Sequence, residues 1–250
     1  MRNIWIIARR ELGAIFLQPI AYFFIIAVSL FIGFLFAGQL TSYVLQSQFG
    51  GGGGPPPAIS DILSTFAFLA ALFVGPAITM RLLSEEQKSG TMELLMTMPV
   101  RDGEVVLGKF LAAFIFYGCI LALTLIYPFV LLQFGNPDPG PIVSGYIGML
   151  LFGAATLAIG TLTSTMSENQ IVSFILAAII ILLLYISSFF SSLATSAPQL
   201  STILNELSFS AHLTNFMSGL LTAKDVLYYL LIAAVSLFAA TRILESKRWR

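Results

Sequence analysis

The chain has 250 residues, 58% hydrophobic and only 10% charged, with 22 Phe and a mean hydropathy of +0.93; soluble domains carry about 25% charged residues, so a soluble globular enzyme and a disordered chain are excluded. Twelve Lys and Arg balance twelve Asp and Glu, which leaves no basic excess for nucleic-acid phosphates, and one Cys with one His excludes a disulfide framework or a metal cluster built on those ligands. What remains is a multi-spanning, all-α integral membrane protein.

Residues 2–18 read as an amphipathic helix in the interface plane. Ile4, Trp5, Ala8, Leu12, Ile15 and Phe16 share one face, and Arg2, Asn3, Arg9, Arg10 and Gln18 lie opposite. Such a helix is either a simple anchor or an elbow that also touches a cytoplasmic partner. Pro19 predicts a break after it. The first span, about 20–40, is uncharged, and with nineteen residues before it reads as an uncleaved anchor rather than a signal peptide. Gly50–Pro57 reads as a flexible-then-stiff external linker. The second span is predicted over about 59–82.

Residues 81–109 hold the densest charge: Arg81, Glu85, Glu86, Lys88, Glu93, Arg101, Asp102, Glu104 and Lys109. Ser84 and Gln87 have capping-box spacing, and Ser89-Gly90 predicts a turn. Thr91–Met98 predicts a short apolar helix stopped at Pro99. Its Met92, Leu94, Leu95, Met96 and Met98 need a surface to cover, either lipid or a groove on another protein. Spans are predicted at about 105–133, 142–164, 170–194 and 226–244. The external loop 195–225 predicts one or two short helices that cap or re-enter the outer leaflet. His212 reads as a local hydrogen-bonding residue, and Cys119 as a small buried apolar one.

Small residues recur four apart at Ser29, Gly33 and Ala37, at Ala67, Ala71, Gly75 and Thr79, and at Ala154 and Ala158 and Gly160 and Ser164. These stripes predict close helix packing, within the subunit or at a seam between subunits. No ionisable group falls at the centre of a span, which argues against a proton-driven carrier, an ion channel or an intramembrane enzyme. Ser187, Ser188, Ser191, Ser192 and Thr195 are candidates to line a path. The basic residues set sidedness. Arg2, Arg9 and Arg10, then Arg81, Lys88, Arg101 and Lys109, then Arg242, Lys247, Arg248 and Arg250 fall on one side, and only Lys224 on the other. Both termini are therefore predicted to be cytoplasmic.

Arg81…Ser84-Glu85-Glu86…Ser89-Gly90-Thr91-Met92-Glu93-Leu94-Leu95…Pro99…Gly108-Lys109 resembles the signature of type-2 ABC (ATP-binding cassette) transporter permeases, and Arg9-Arg10-Glu11-Leu12 resembles that family's elbow. Gly135-Asn136-Pro137-Asp138, Glu168-Asn169-Gln170, Phe209…His212…Phe216…Gly219…Asp225…Tyr228 and the terminal Leu244–Trp249 run look like the gliding-motility branch. Gln87 departs from the pattern, which usually has a basic residue there. The resemblance implies a single permease domain of six spans with a second permease subunit beside it, the same or a homologous chain, and an ABC-type ATPase subunit beneath each. ATP and Mg would bind those partners, since this chain has no phosphate-binding G-x-x-x-x-G-K-[ST], and it would itself be no enzyme.

In that setting Arg81, Glu85, Glu86, Gly90, Thr91, Met92, Glu93, Leu94, Leu95 and Pro99 belong to the ATPase-coupling interface, and Trp5, Arg9, Arg10 and Glu11 to the elbow. Phe209, His212 and Phe216 are candidates for an external gate. The implied function is the permease half of a dimeric exporter in the inner membrane of a bacterium or archaeon. The alternative is a non-transporting scaffold that transmits ATPase strokes to a periplasmic partner.

Overall fold

A computed structural model describes residues 2–49, 58–90, 100–134, 138–193 and 197–248. Within these residues the chain is helical, with no strand, as lipid requires of segments that must satisfy their own backbone groups. Six stretches are long and apolar enough to cross a bilayer: Pro19–Gln46, Ile59–Ser89, Asp102–Gln133, Pro139–Met166, Gln170–Leu193 and Ala223–Lys247. They overlie the six predicted spans, with differences at the ends and in two interiors.

Helix α1 (Arg2–Leu17) stops at Gln18, and Pro19 opens α2 (Pro19–Phe49). A proline in the first turn gives up an N–H that had no acceptor. The helix does not end near residue 40 as expected. Its 31 residues span roughly 46 Å at ~1.5 Å each, well beyond a hydrocarbon core of ~30 Å. The Thr41 and Ser42 hydroxyls donate to the Ala37 and Gly38 carbonyls at 2.8 and 2.9 Å, so this polar extension satisfies itself.

The second span is not one helix. It comprises α3 (Ile59–Leu69), a π turn over Ala70–Val74, α4 (Gly75–Thr79) and, after a turn, α5 (Ser84–Ser89). Pro76 gives the reason. It lacks an N–H and its ring crowds the preceding turn; the wider π turn makes room, and the Gly75 N–H reaches back to the Ala70 carbonyl. The third span is interrupted in the same way. Helix α6 (Asp102–Leu123) and α7 (Ile126–Phe134) meet at Thr124, four residues before Pro128, whose ring excludes the Thr124 carbonyl from a regular helix. The Thr124 hydroxyl donates to the Leu121 carbonyl at 2.6 Å and meets the Tyr146 hydroxyl at 3.0 Å.

Helix α8 (Pro139–Met166) is the axis of the bundle. Asp138 caps it by accepting from the Gly140 N–H at 3.0 Å, and every residue from Ala155 to Thr165 except Leu162 is buried. Gly148 seats Phe216, Gly153 seats Tyr117 and Gly160 seats Thr79, each closer than a side chain at the glycine would allow. Van der Waals fit of this kind drives helix association in lipid. Ala67, Ala71, Gly75 and Thr79 are buried too, so the stripes of spans two and four pack inside the subunit. On the first span, Ser29 and Gly33 meet the Tyr127 hydroxyl, whereas Ala37 is exposed. Cys119 is exposed on α6, not buried as expected.

The fifth span is α9 (Gln170–Leu193). Two short helices follow, α10 (Pro198–Glu206) with no buried residue and α11 (Phe209–Met217) with five, before α12 (Ala223–Arg248) runs along α8. Lys224, the one basic residue at the far end, pairs with Glu206 at 2.6 Å. The other basic residues among those described gather at the opposite end, where α1, α5, the start of α6 and the end of α12 meet.

Candidate functional site

The site forms where α1 docks on α6. Ala8 is fully buried there, and Ile4, Ile7, Leu12 and Ile15 are half-buried. The apolar face read from the sequence therefore serves α6 and the bundle, while Trp5, 57% exposed, points away from protein. Gly108 permits the approach: a Cβ there would stand 2.8 Å from the Ile7 side chain and 3.1 Å from the Ile4 carbonyl. Asn3 closes the start of the contact by donating to Glu104 at 3.1 Å, and Glu104 also accepts the Arg101 N–H at 3.3 Å.

Close docking carries Glu11 to Lys109. The ammonium of Lys109 is 2% exposed and lies 3.1 Å from Glu11 Oε1 and 2.9 Å from Glu86 Oε1. Arg10 completes an alternating row at 3.3 Å from the same Glu11 oxygen. A cation taken out of water costs several kcal/mol unless it is well paired. Here two carboxylates from different segments pair it, so Lys109 ties the elbow (Glu11) to the connector helix α5 (Glu86) through α6.

Two further contacts hold α5. The hydroxyl of Ser164, on α8, accepts from the backbone N–H groups of Leu83 at 3.0 Å and Ser84 at 3.1 Å. An N-terminus that would leave donors orphaned is thus capped from a neighbouring helix. The expected Ser84–Gln87 capping box does not form. Ser84 instead donates back to the Met80 carbonyl, and Gln87 spans outward. Its Nε2 donates to the Thr165 carbonyl at 3.0 Å and its Oε1 accepts from Lys247 Nζ at 2.6 Å; Lys247 also donates to Thr165 at 2.9 Å. The basic group that the family pattern places at this point of the chain arrives here from α12, and an acceptor at position 87 is what receives it. At its other end α5 stops at Gly90, whose φ of +71° closes the turn predicted there.

The predicted coupling residues thus divide. Glu86 is in the ion cluster, Glu85 is exposed, and Arg81 is half-buried, with its Nη1 3.3 Å from Gln18. Thr91, Met92, Glu93, Leu94, Leu95 and Pro99 lie outside the described residues, as do Thr195 and the Gly50–Pro57 linker. Of the elbow set, Glu11 faces inward, and Trp5, Arg9 and Arg10 are exposed. Sequence reasoning missed Lys109, Ser164 and Lys247 as site residues. Lys109 left a signal through its place behind Gly108, whereas Ser164 and Lys247 were read only for packing and for sidedness.

Phe209, His212 and Phe216 are all buried against the bundle. Phe209 packs edge-on to Phe152 at 5.5 Å, and its carbonyl accepts from the Tyr229 hydroxyl at 2.7 Å. His212 stacks on Tyr228 with ring centroids 4.0 Å apart; its Nδ1 meets Asp225 at 2.5 Å and its Nε2 the Glu206 carbonyl at 3.0 Å. Asp225, 1% exposed, also accepts from Asn215 at 2.8 Å and from Thr222. The outer helices are thereby bolted to the first turn of α12. Ser188 and Ser191 contribute by bonding to Ser210 and Ser201, rather than facing an open path. No trio of metal-ligating side chains occurs among the described residues.

The family model for ABC-2 family transporter proteins matches residues 41–244, from the outer part of α2 to the last turns of α12. The sequence has no significant match among curated proteins. Six apolar spans, their order and this match agree: the chain belongs to the ABC-2 transporter family and is a multi-pass, membrane-spanning permease subunit rather than a catalytic one.

Proposed function

We propose that the chain is one half of a dimeric exporter core in the inner membrane of a bacterium or archaeon, paired with an identical or homologous permease and driven by a separate ATPase subunit that binds ATP and Mg. The ATPase docks on the connector between α5 and α6, residues 91–99 included. The observation that carries this reading is the threefold fixing of α5 by Lys109, Ser164 and Lys247. A six-residue helix held to α1, α6, α8 and α12 moves with those elements as a body, which is what a stroke delivered at its end requires. The residue patterns after the third span and before the sixth favour the gliding-motility branch, and with it the periplasmic partner of the alternative, while spans whose polar groups are mainly Ser, Thr and Tyr favour an amphiphilic substrate.

The test is co-reconstitution of chain and ATPase in liposomes, with candidate amphiphiles followed across the bilayer. ATP-dependent movement supports the exporter. Stimulated ATP hydrolysis with nothing moved favours the force-transmitting alternative. In the same system the Glu86→Ala, Leu94→Asp double variant is expected to lose the ATPase while its spans stay folded; if it still co-purifies with a fully active ATPase, the docking assignment is wrong.

A further inference from the structure

Beside the ion cluster, a cavity of about 360 Å³ opens between α1, the start of α2 and the end of the second span. Its two ends differ in chemistry. One carries Gln18, Arg81, Glu85 and the Glu11–Lys109–Glu86 cluster; the other is walled by Ala21, Phe24, Ile78 and Phe116. The charges at the polar end are not equivalent. Lys109 is neutralised by two carboxylates, Glu11 and Glu86, and Glu11 also faces Arg10. Arg81 has no carboxylate partner among the described residues: its Nη1 donates to the neutral Gln18 at 3.3 Å, and its Nε finds no acceptor. Glu85 lines the same end, but it is exposed to water and makes no ion pair with Arg81.

The cavity lies beside Ile20 and Ala21, where the first span begins, and beside Arg81, where the apolar part of the second ends, which is the level of the headgroups at the end of a span. A guanidinium at that depth presents a planar fork suited to a phosphate, and an apolar wall beside it suits a hydrocarbon chain. We infer that the cavity is a binding site for a phosphate-bearing lipid of the cytoplasmic leaflet, the headgroup phosphate on Arg81 and one acyl chain along Phe24 and Ile78. The shared chemistry is the phosphate; the acyl wall assigns its source to a lipid rather than to free phosphate. Occupancy would fasten α1 to the second span beside the Glu11–Lys109–Glu86 row, at a place the packing itself leaves open.

The full-length chain carrying Phe24→Trp, with Trp5→Phe and Trp249→Phe, reports directly on the cavity. It is reconstituted in phosphatidylcholine vesicles and titrated with dibrominated phosphatidylglycerol, a net-anionic lipid. Saturable quenching is expected, at least about tenfold stronger than with dibrominated phosphatidylcholine, whose phosphate is masked by its own choline. The R81Q variant is expected to lose this preference and R81K to keep part of it. Circular dichroism and elution volume of each variant establish that it is folded. Equal quenching by the two lipids, or an R81Q variant that binds as the parent does, overturns the proposal by reducing the signal to bulk annular lipid. Displacement of the brominated lipid by millimolar inorganic phosphate overturns the lipid source and reassigns the site to a soluble anion.

Discussion

Lys109 and Glu86 stand 2.9 Å apart with the lysine almost fully buried, although they are 23 positions apart in the chain and Glu86 belongs to a six-residue helix with little hold of its own. The pair makes α5 an appendage of α6. Because Lys109 also holds Glu11, the elbow cannot leave α6 without uncovering the same charge.

Removing the cation is therefore expected to do more than delete one contact. Lys109→Met strands two carboxylates in a poorly solvated place, and a loss on the order of 3 kcal/mol is expected from breaking such a group one-sidedly. Thermal unfolding in detergent measures it. The triple variant Glu11→Gln, Glu86→Gln, Lys109→Met is expected to recover most of that stability without recovering stimulated ATP hydrolysis.

The elbow contact depends on the absence of a side chain at Gly108. Gly108→Ala places a methyl 2.8 Å from Ile7, and overpacking of this kind costs about 1–3 kcal/mol. Ile7→Ala is expected to be milder alone and to rescue Gly108→Ala little when combined, because position 7 keeps the Cβ that stands 2.8 Å away and the Ile4 carbonyl stays at 3.1 Å. Limited proteolysis of α1 in detergent reads the outcome, with the elbow of Gly108→Ala and of the double variant both cut faster than the parent's.

Ser164→Ala takes the shared acceptor from the Leu83 and Ser84 N–H groups. A lost cap costs about 1 kcal/mol. The matching observation is hydrogen exchange of peptides covering 82–89, which is expected to quicken several-fold while peptides from α12 are unchanged.

At the outer end, Asp225→Asn weakens three hydrogen bonds at once, from His212, Asn215 and Thr222. Bonds to a charged acceptor are worth about 1.5–3 kcal/mol each, and partial compensation by the amide leaves an expected loss of about that size overall. With a cysteine at Ser218, maleimide labelling from outside is expected to speed up in Asp225→Asn and less so in His212→Gln.

The architecture was legible where residue type alone decides. Apolar length gave the spans, and Pro19 and the Ser89-Gly90 turn gave two of the element ends. The segregation of the basic residues was legible too: Arg10, Lys109 and Lys247 stand at one end and Lys224 at the other. Breaks inside spans were read less well. Pro76 and Pro128 were in plain view, but each disturbs the turn before itself, and apolar averaging passes over a π turn or a two-residue interruption. The site was half legible. Glu11 and Glu86 stood out as charges in the expected segments, whereas their meeting point depends on Gly108 admitting Ile7, a contact between residues about a hundred positions apart. Ser164 stood out only as one of a pair of small residues with Gly160, and nothing marked it as a cap, since a serine in a span ordinarily bonds its own helix. Gln87 looked like a departure from a family pattern, and only the arrival of Lys247 gives it a purpose.

The central claim is that the connector beyond α5 is where the ATPase engages the permease. Cysteine cross-linking in native membranes tests it most directly, with Leu94→Cys in the chain, Cys119→Ser to remove the exposed native thiol, and the ATPase subunit carrying single cysteines around its surface. The account predicts a cross-link from Leu94 to one confined patch of the ATPase, with a yield that changes when ATP is added and falls when Glu86 is also changed to Ala. An intact complex that gives no cross-link from Leu94, or from Thr91 and Leu95 tested alongside, would contradict it.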